Sequence, residues 1–227
     1  MYNQQKVKKF FATLFKMAKY KKKIKYYYFD AYARGELPRL ILGYNKVPFE
    51  DVRLNKETWP EIKPITLFGL VPFIDFDGKK IYQSGVISKY LAQEFRQYPT
   101  DPEEVLFLEQ LRDFFVLDIN EEFNRHWYLK DQAKQDYLDK FFSTTLPNRL
   151  EKLEAILKKG NGEFLVGNSI SLADFYALEF SQRILFNPDW KDRAEPVLEK
   201  FPVFKAYINK RIEDPNYQAY VKVRVNH

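Results

Sequence analysis

Apolar and polar positions alternate at strand spacing early in the chain. Residues 24–29 (IKYYYF) are a β-rich run that predicts a first strand. A loop over residues 30–35 and a short helix over residues 36–42 should follow, ending near Gly43, and residues 48–54 predict a second strand. With the hairpin that comes next, this β–α–β order predicts helices packed on a four-stranded mixed sheet.

The stretch from Phe68 to Ser84 carries the strongest local signals. Val71 precedes Pro72, and a residue before proline is biased toward extended backbone. Asp77-Gly78 predicts a hairpin turn between two apolar runs. Ser84 is a suitable N-cap for the helix that follows, in which apolar residues recur at helical spacing.

Such a stretch suits a receptor for a small anionic peptide. The extended segment before the proline leaves backbone groups that can pair with a peptide lying alongside. A helix N-terminus nearby offers N–H groups and a positive dipole to a carboxylate. The pattern alone equally allows a plain β-hairpin that leads into a helix.

Beyond the proline-rich stretch at residues 98–102, the apolar period changes to 3.6 and stays there. One helical stripe covers residues 105–123. A second covers residues 137–157, where Pro147 should kink or split the helix. The sequence Ser171-Leu172-Ala173-Asp174 has the spacing of a capping box and should open an apolar helix.

A final helix is expected after Pro202, ending before residues 221–227. We therefore predict an N-terminal extension over residues 1–22, an α/β domain over residues 23–101 and an all-α domain over residues 102–227. The extension combines lysines with an apolar helical stripe, which is typical of membrane-surface or targeting helices. Because it lacks arginine and serine, we favour an appended helix or tail, and membrane contact is the less favoured alternative.

The composition argues against several kinds of catalytic and binding site. The chain has no cysteine and two histidines, so disulfides, a cysteine nucleophile and a metal site are not expected. The net charge of +6 arises in the N-terminal segment, where the lysines of residues 1–25 precede the first acid, Asp30. The remainder is slightly acidic, so no nucleic-acid partner is predicted.

Four sequence blocks, in order and with compatible gaps, resemble the cytosolic glutathione S-transferases. The similarity is closest to the sigma class, which includes the glutathione-dependent prostaglandin D synthases. The blocks lie at residues 28–39, 49–63, 68–84 and 166–174. The resemblance implies a thioredoxin-like α/β N-terminal domain, an all-α C-terminal domain and a cytoplasmic homodimer.

The resemblance also implies that Tyr28 is the catalytic tyrosine and that Arg34 assists it. A thiolate is the reactive form of a thiol, and a phenol that donates a hydrogen bond to the sulfur favours it. Glutathione supplies the sulfur, which agrees with a chain that has no cysteine. Without the resemblance, Tyr28 would be interpreted as an aromatic residue of the core and Arg34 as a solvated charge.

The implied glutathione site has three parts. Val71, before a cis peptide bond to Pro72, would pair with the cysteinyl backbone. The γ-glutamyl end would be held near the start of the helix at residue 84, and the glycyl end by the loop after the second strand. The full set implied to bind glutathione is Tyr28, Arg34, Trp59, Lys63, Gly69, Leu70, Val71, Pro72, Gln83 and Ser84.

Some positions depart from the family pattern. Leu70 stands where relatives usually carry glutamine or lysine, so one contact to the glycyl end should be missing. The carboxylate that relatives extend across the dimer has no clean match near residues 116–117. The wall of the second-substrate pocket is predicted at Asp113, Phe114 and Ile119.

Three functions fit these residues. The first is a glutathione transferase that attacks hydrophobic electrophiles, and the second is a glutathione-dependent isomerase or peroxidase. The third is a non-catalytic ligand carrier or structural protein with the same fold. The residues at Tyr28, Gln83 and Ser84 favour the transferase.

Overall fold

The computed structural model describes residues 23–224, and the predicted N-terminal extension lies outside them. These residues form two compact units. The first unit comprises residues 23–91 and 215–224, and the second comprises residues 92–214. The predicted α/β domain ended at residue 101, whereas this division falls after residue 91 and assigns residues 215–224 to the first unit.

The first unit is built on a mixed sheet of four strands in the order β2-β1-β3-β4. β1 runs parallel to β2 and antiparallel to β3, and the β3–β4 hairpin turns at Asp77 and Gly78, both at positive φ. The sheet confirms the predicted α/β architecture, and β1 has the predicted bounds. The strands are β1 (Ile24–Phe29), β2 (Glu50–Leu54), β3 (Phe73–Phe76) and β4 (Lys79–Tyr82).

Three helices that begin in the first unit follow its strands: α1 (Ala33–Tyr44), α2 (Trp59–Ile62) and α3 (Ser84–Glu94). α1 begins three residues before the predicted start, so the predicted loop over residues 30–35 was wrong in its second half. Tertiary packing of Gly35 and burial of Glu36 outweigh the weak helix propensity of this segment. α3 also begins one residue early: the predicted cap Ser84 is its first residue, and the Gln83 carbonyl accepts the Ile87 N–H at 2.9 Å.

The second unit is all helical, which confirms the predicted class. π-helical turns interrupt its helices at Phe114–Glu121, Phe141–Thr145 and Ser181–Leu185, where the apolar stripes predicted uninterrupted helix. The interruption at Pro147 was predicted, and this proline lies in the first turn of a new helix. The main helices are α4 (Pro102–Asp113), α5 (Asp131–Lys140), α6 (Leu146–Lys159), α7 (Leu172–Phe180), α8 (Lys191–Leu198) and α9 (Pro202–Ile212).

The single final helix expected after Pro202 is divided in two, and its second part, α10 (Pro215–Val223), extends beyond the predicted end and belongs to the first unit. Within the described part of the chain, no helix combines the length and apolarity that crossing a bilayer requires.

The predicted capping box at the start of α7 is confirmed. The Asp174 carboxylate accepts the Ser171 backbone N–H at 2.8 Å and the Tyr207 hydroxyl at 2.7 Å. It also accepts the Leu165 N–H at 3.3 Å. Burial raises the pKa of Asp174, and these hydrogen bonds oppose the rise. Asp174 thus links the start of α7 with the loop at Leu165 and with helix α9, which carries Tyr207.

Candidate functional site

The register of the sheet brings the predicted site residues to one edge. Phe73 of β3 pairs with Tyr27 of β1 on one side and with Tyr82 of β4 on the other. β3 is antiparallel to both β1 and β4. One residue further toward the same edge, the three neighbours are therefore the residue after Tyr27, the residue before Phe73 and the residue after Tyr82. Those three residues are Tyr28, Pro72 and Gln83.

Two more predicted residues follow β2: Trp59 begins α2 and Lys63 comes just after it. The carboxyl end of β2 lies at this same edge because β2 is parallel to β1. The ring of Trp59 meets the ring of Phe29 edge-on at 5.6 Å between centroids, and Phe29 meets Tyr28 at 5.8 Å. An unbroken series of aromatic contacts therefore connects Trp59 with Tyr28.

The side chain of Lys63 passes the backbone of Gly69. A Cβ placed on Gly69 would lie 3.8 Å from Cε of Lys63, and Gly69 has φ of +65°, which suits glycine. After this turn comes Leu70, which is 60% exposed. The peptide bond between Val71 and Pro72 is cis, which the resemblance implied.

Tyr28 is held close against the first turn of α1. Its side chain is only 8% exposed, and a Cβ on Gly35 would come within 2.2 Å of Tyr28 Cδ1. Gly35 must therefore lack a side chain for the ring to occupy this position. Arg34, which is exposed, immediately precedes this contact in α1. The structure thus places both predicted catalytic residues in one local arrangement.

Arg39 is a further residue of the site that the sequence reasoning did not identify. It is almost completely buried, and its guanidinium lies 5.4 Å from the ring centroid of Tyr26 and 5.7 Å from that of Tyr28. It donates to the carbonyls of Phe29 at 3.2 Å and Ala31 at 2.8 Å. Arg39 therefore supports both the Tyr28 ring and the loop that follows it.

The charge of Arg39 is balanced by a chain of ion pairs. Its Nε lies 3.0 Å from Oδ1 of Asp51, whose other oxygen pairs with Arg53 at 2.9 Å. Arg53 continues the series to Asp30 at 2.6 Å. A single arginine within the otherwise apolar run of residues 37–42 was the sequence signal for this network, because a charge among buried positions requires a partner.

The residues predicted for the second-substrate wall lie in the second unit. Asp113, at the end of α4, pairs with Arg112 at 2.8 Å. The ring of Phe114 faces the guanidinium of Arg149, with the centroid 5.8 Å from Cζ. Ile119 has no exposed surface, so its assignment to a pocket wall is corrected: it is a core residue of the π-helical turn.

Residues 23–224 contain no cluster of three or more histidines, cysteines, aspartates or glutamates that could hold a metal ion. The predicted site residues at the sheet edge provide a phenol, one exposed arginine, a lysine and backbone amides. These groups donate hydrogen bonds or carry positive charge, which suits an anionic ligand.

Comparisons with known proteins find two matching family models. The family model "Glutathione S-transferase, N-terminal domain" matches residues 23–93, and "Glutathione S-transferase, C-terminal domain" matches residues 117–224. Glutathione S-transferase 2 of Manduca sexta is 34% identical over 203 residues, which cover 88% of this chain and 95% of the relative.

Two further relatives carry another name. Hematopoietic prostaglandin D synthase of Gallus gallus is 32% identical over 195 residues, covering 81% of this chain and 94% of the relative. Among solved structures, prostaglandin synthase D of Nilaparvata lugens superimposes with a TM-score of 0.76 at 27% identity, covering 90% of this chain and 100% of that one.

Proposed function

The chain belongs to the glutathione S-transferase family, and from this premise we propose that Tyr28 activates the thiol of glutathione as a thiolate for attack on hydrophobic electrophiles. The chain is a transferase with glutathione as its co-substrate, as the resemblance implied. Its similarity to prostaglandin D synthases supports placement in the sigma class.

The observation that carries the proposal is the position of Tyr28. It lies one step beyond the β1–β3 pairs, at the edge that also holds Pro72 and Gln83. Its ring is fixed by Gly35 below and Arg39 beside it. A catalytic group held this way needs little reorganisation when the ligand binds.

In the proposed reaction, the thiol of bound glutathione loses its proton to solvent, and the hydroxyl of Tyr28 donates a hydrogen bond to the resulting thiolate. Arg34 adds positive charge. The sulfur then attacks an electrophilic carbon, a C–S bond forms, and the leaving group departs with its electron pair. A hydrogen bond to a charged acceptor is worth about 1.5–3 kcal/mol, which corresponds to roughly one to two pKa units of the thiol.

The remaining predicted residues would hold the tripeptide. The backbone of Val71 would pair with the cysteinyl residue in the manner of an added strand. Gln83 and Ser84 would take the γ-glutamyl end at the N-terminus of α3, where the helix dipole favours a carboxylate. Trp59 and Lys63 would hold the glycyl carboxylate. Leu70 provides no polar contact there.

A glutathione-dependent isomerase is the second candidate, because two of the similar proteins are named prostaglandin D synthases. Such an enzyme would use the same thiolate and a shaped pocket for the second substrate. Asp113 and Phe114 stay predictions as members of that pocket, and the cytoplasmic location also stays a prediction.

The proposal is tested with the wild-type protein. We expect retention on immobilised glutathione, elution by free glutathione, and conjugation of glutathione to a generic aryl halide. Isomerisation of a prostaglandin endoperoxide without conjugation would favour the second candidate. Retention with neither reaction would identify a carrier, and absence of retention would contradict the proposed site.

The homodimer is also a proposal, and an apolar surface of the first unit supports it. Four apolar side chains close together in sequence, just before the cis peptide bond, are each between 50% and 68% exposed, and a contiguous exposed apolar patch commonly marks an interaction surface. We infer that a second copy of the chain covers this segment. Its members are Ile65, Leu67, Phe68 and Leu70.

Replacing Phe68 with serine should weaken the dimer by about 10- to 100-fold, since burial of a phenylalanine contributes roughly 1.5–3 kcal/mol. Sedimentation over a concentration series measures the change. Tyr128→Ser is the matched control, because Tyr128 is an exposed aromatic residue of the second unit. A wild-type protein that is monomeric at all concentrations would contradict the inference.

Replacing Gly35 with alanine should displace the Tyr28 ring and lower the conjugation rate at least severalfold. The added methyl group has no room, and overpacking of this kind costs about 1–3 kcal/mol. Steady-state kinetics with the aryl halide measures the effect. Gly160→Ala is the control, because a Cβ at Gly160 meets its neighbours at 3.5 Å or more. Equal rates for the two variants would refute the packing argument.

A further inference from the structure

The C-terminal helix α10 packs along α1 within the first unit. The ring of Tyr220 lies against Gly43, where a Cβ would come within 2.2 Å of Cδ2 of the ring. Tyr217 and Tyr220 are both buried. The end of the chain is therefore a packed part of this unit, although α1 lies more than 170 residues earlier in sequence.

A buried carboxylate joins the two helices. Glu36 of α1 is only 4% exposed, and its Oε1 accepts the hydroxyl of Tyr220 at 2.9 Å. The same oxygen accepts Nη1 of Arg224, just beyond α10, at 3.1 Å. The Arg224 guanidinium also lies 4.8 Å from the ring centroid of Tyr32. Two side chains from the end of the chain thus hold one carboxylate.

The residues held in this way flank the proposed catalytic turn. Tyr32 immediately precedes α1, and Glu36 lies four residues later, so that Arg34 and Gly35 fall between them. Gly35 is the residue on which the Tyr28 ring packs. Fixing residues 32 and 36 therefore fixes the backbone that carries Arg34 and supports Tyr28.

Charge provides a second reason for this contact. A buried carboxylate without a cation is costly, and its field would oppose formation of a thiolate at the same sheet edge. Burial raises the pKa of Tyr26 on β1, and Glu36 contributes to the rise, so its field extends into the strand that holds Tyr28. Arg224 supplies the compensating positive charge.

We propose that Arg224, supported by Tyr220, is a positioning residue for the transferase reaction: it neutralises Glu36 and fixes the turn that carries Arg34 and supports Tyr28. The inference rests on the proposed function of those two residues. Through Glu36 and this turn, Arg224 affects the ionisation of bound glutathione.

The test compares Arg224→Gln with Arg224→Lys and with Lys222→Gln, an exposed position in the last turn of α10. We expect Arg224→Gln to lower kcat/KM at pH 6.5 by about tenfold and to shift the pH–rate profile upward by about one unit. Arg224→Lys should restore most of both, and Lys222→Gln should match the wild type. Adding Glu36→Gln to Arg224→Gln should return the profile toward the wild-type position, because no unpaired charge remains.

Amide hydrogen exchange provides a readout that is independent of catalysis. Arg224→Gln should accelerate exchange over residues 32–36, and Gly43→Ala, which pushes Tyr220 away without altering any charge, should do the same. A lowered melting temperature with an unchanged pH–rate profile and unchanged exchange at residues 32–36 would overturn the proposal.

These outcomes separate the inference from the proposed function. A wild-type protein that does not conjugate glutathione, or a Tyr28→Phe variant as active as the wild type, would refute the function, while hydrogen exchange would still test the contact. If Tyr28→Phe is impaired but Arg224→Gln shows normal kinetics and normal exchange, the inference about Arg224 is refuted and the proposed function stands.

Discussion

Replacing Tyr28 with phenylalanine should lower the rate of glutathione conjugation by about 10- to 100-fold and leave glutathione binding largely intact. The substitution removes one hydroxyl and leaves the ring packed on Gly35 and beside Arg39. The lost hydrogen bond to a charged sulfur is worth about 1.5–3 kcal/mol, which sets the size of the effect. Conjugation to an aryl halide, followed from pH 6 to 8, measures it.

Tyr27→Phe is the matched control. Tyr27 is the neighbouring strand residue, and its ring stacks on Phe73 at 4.2 Å, so the control also removes one hydroxyl from an ordered tyrosine of β1. It should keep the wild-type rate. Equal rates for Tyr28→Phe and wild type over the whole pH range would contradict the assignment.

Replacing Asp174 with alanine should lower the free energy of unfolding by about 3–5 kcal/mol, because it leaves several buried donors without an acceptor at about 1–3 kcal/mol each. The donors are the N–H and hydroxyl groups of Ser171, the Leu165 N–H and the Tyr207 hydroxyl. Chemical denaturation monitored by circular dichroism measures the loss.

Asp192→Ala serves as the control for this prediction. Asp192 is also an acid in the first turn of a helix, α8, but its side chain is exposed. Its replacement should cost less than about 1 kcal/mol. A loss of similar size in both variants would show that the buried network around Asp174 contributes nothing beyond ordinary helix capping.

Several elements were predictable because their causes are local. The β-rich run of β1 has the bounds that its composition indicated, and Asp77-Gly78 forms the expected turn. The capping box at Ser171 and Asp174 also needs only residues three positions apart. Each of these signals lies within a few neighbouring residues, so the sequence displays it directly.

The misplaced elements depend on contacts between distant residues. α1 begins early because Gly35 packs under Tyr28 and Glu36 pairs with Tyr220 and Arg224. α10 joins the first unit through the same residues, which no local pattern relates to one another. Periodicity identifies an apolar face but does not identify the face that it packs against.

The candidate site shows the same division. The resemblance supplied Tyr28, Pro72 and Gln83, and the sheet register then explains why they share an edge. Arg39 was missed because its importance comes from burial beneath Tyr28. Ile119 was misplaced for the opposite reason: helical spacing does not distinguish a pocket wall from a core.

The most direct test of the account is the pKa of the thiol of bound glutathione, followed by the ultraviolet absorbance of the thiolate as pH is varied. We predict a pKa at least one unit below the usual thiol value of about 8.5 in the wild-type complex. In the Tyr28→Phe complex, the pKa should return most of the way to that value. The same thiol pKa in both complexes would contradict the claim that Tyr28 stabilises the thiolate.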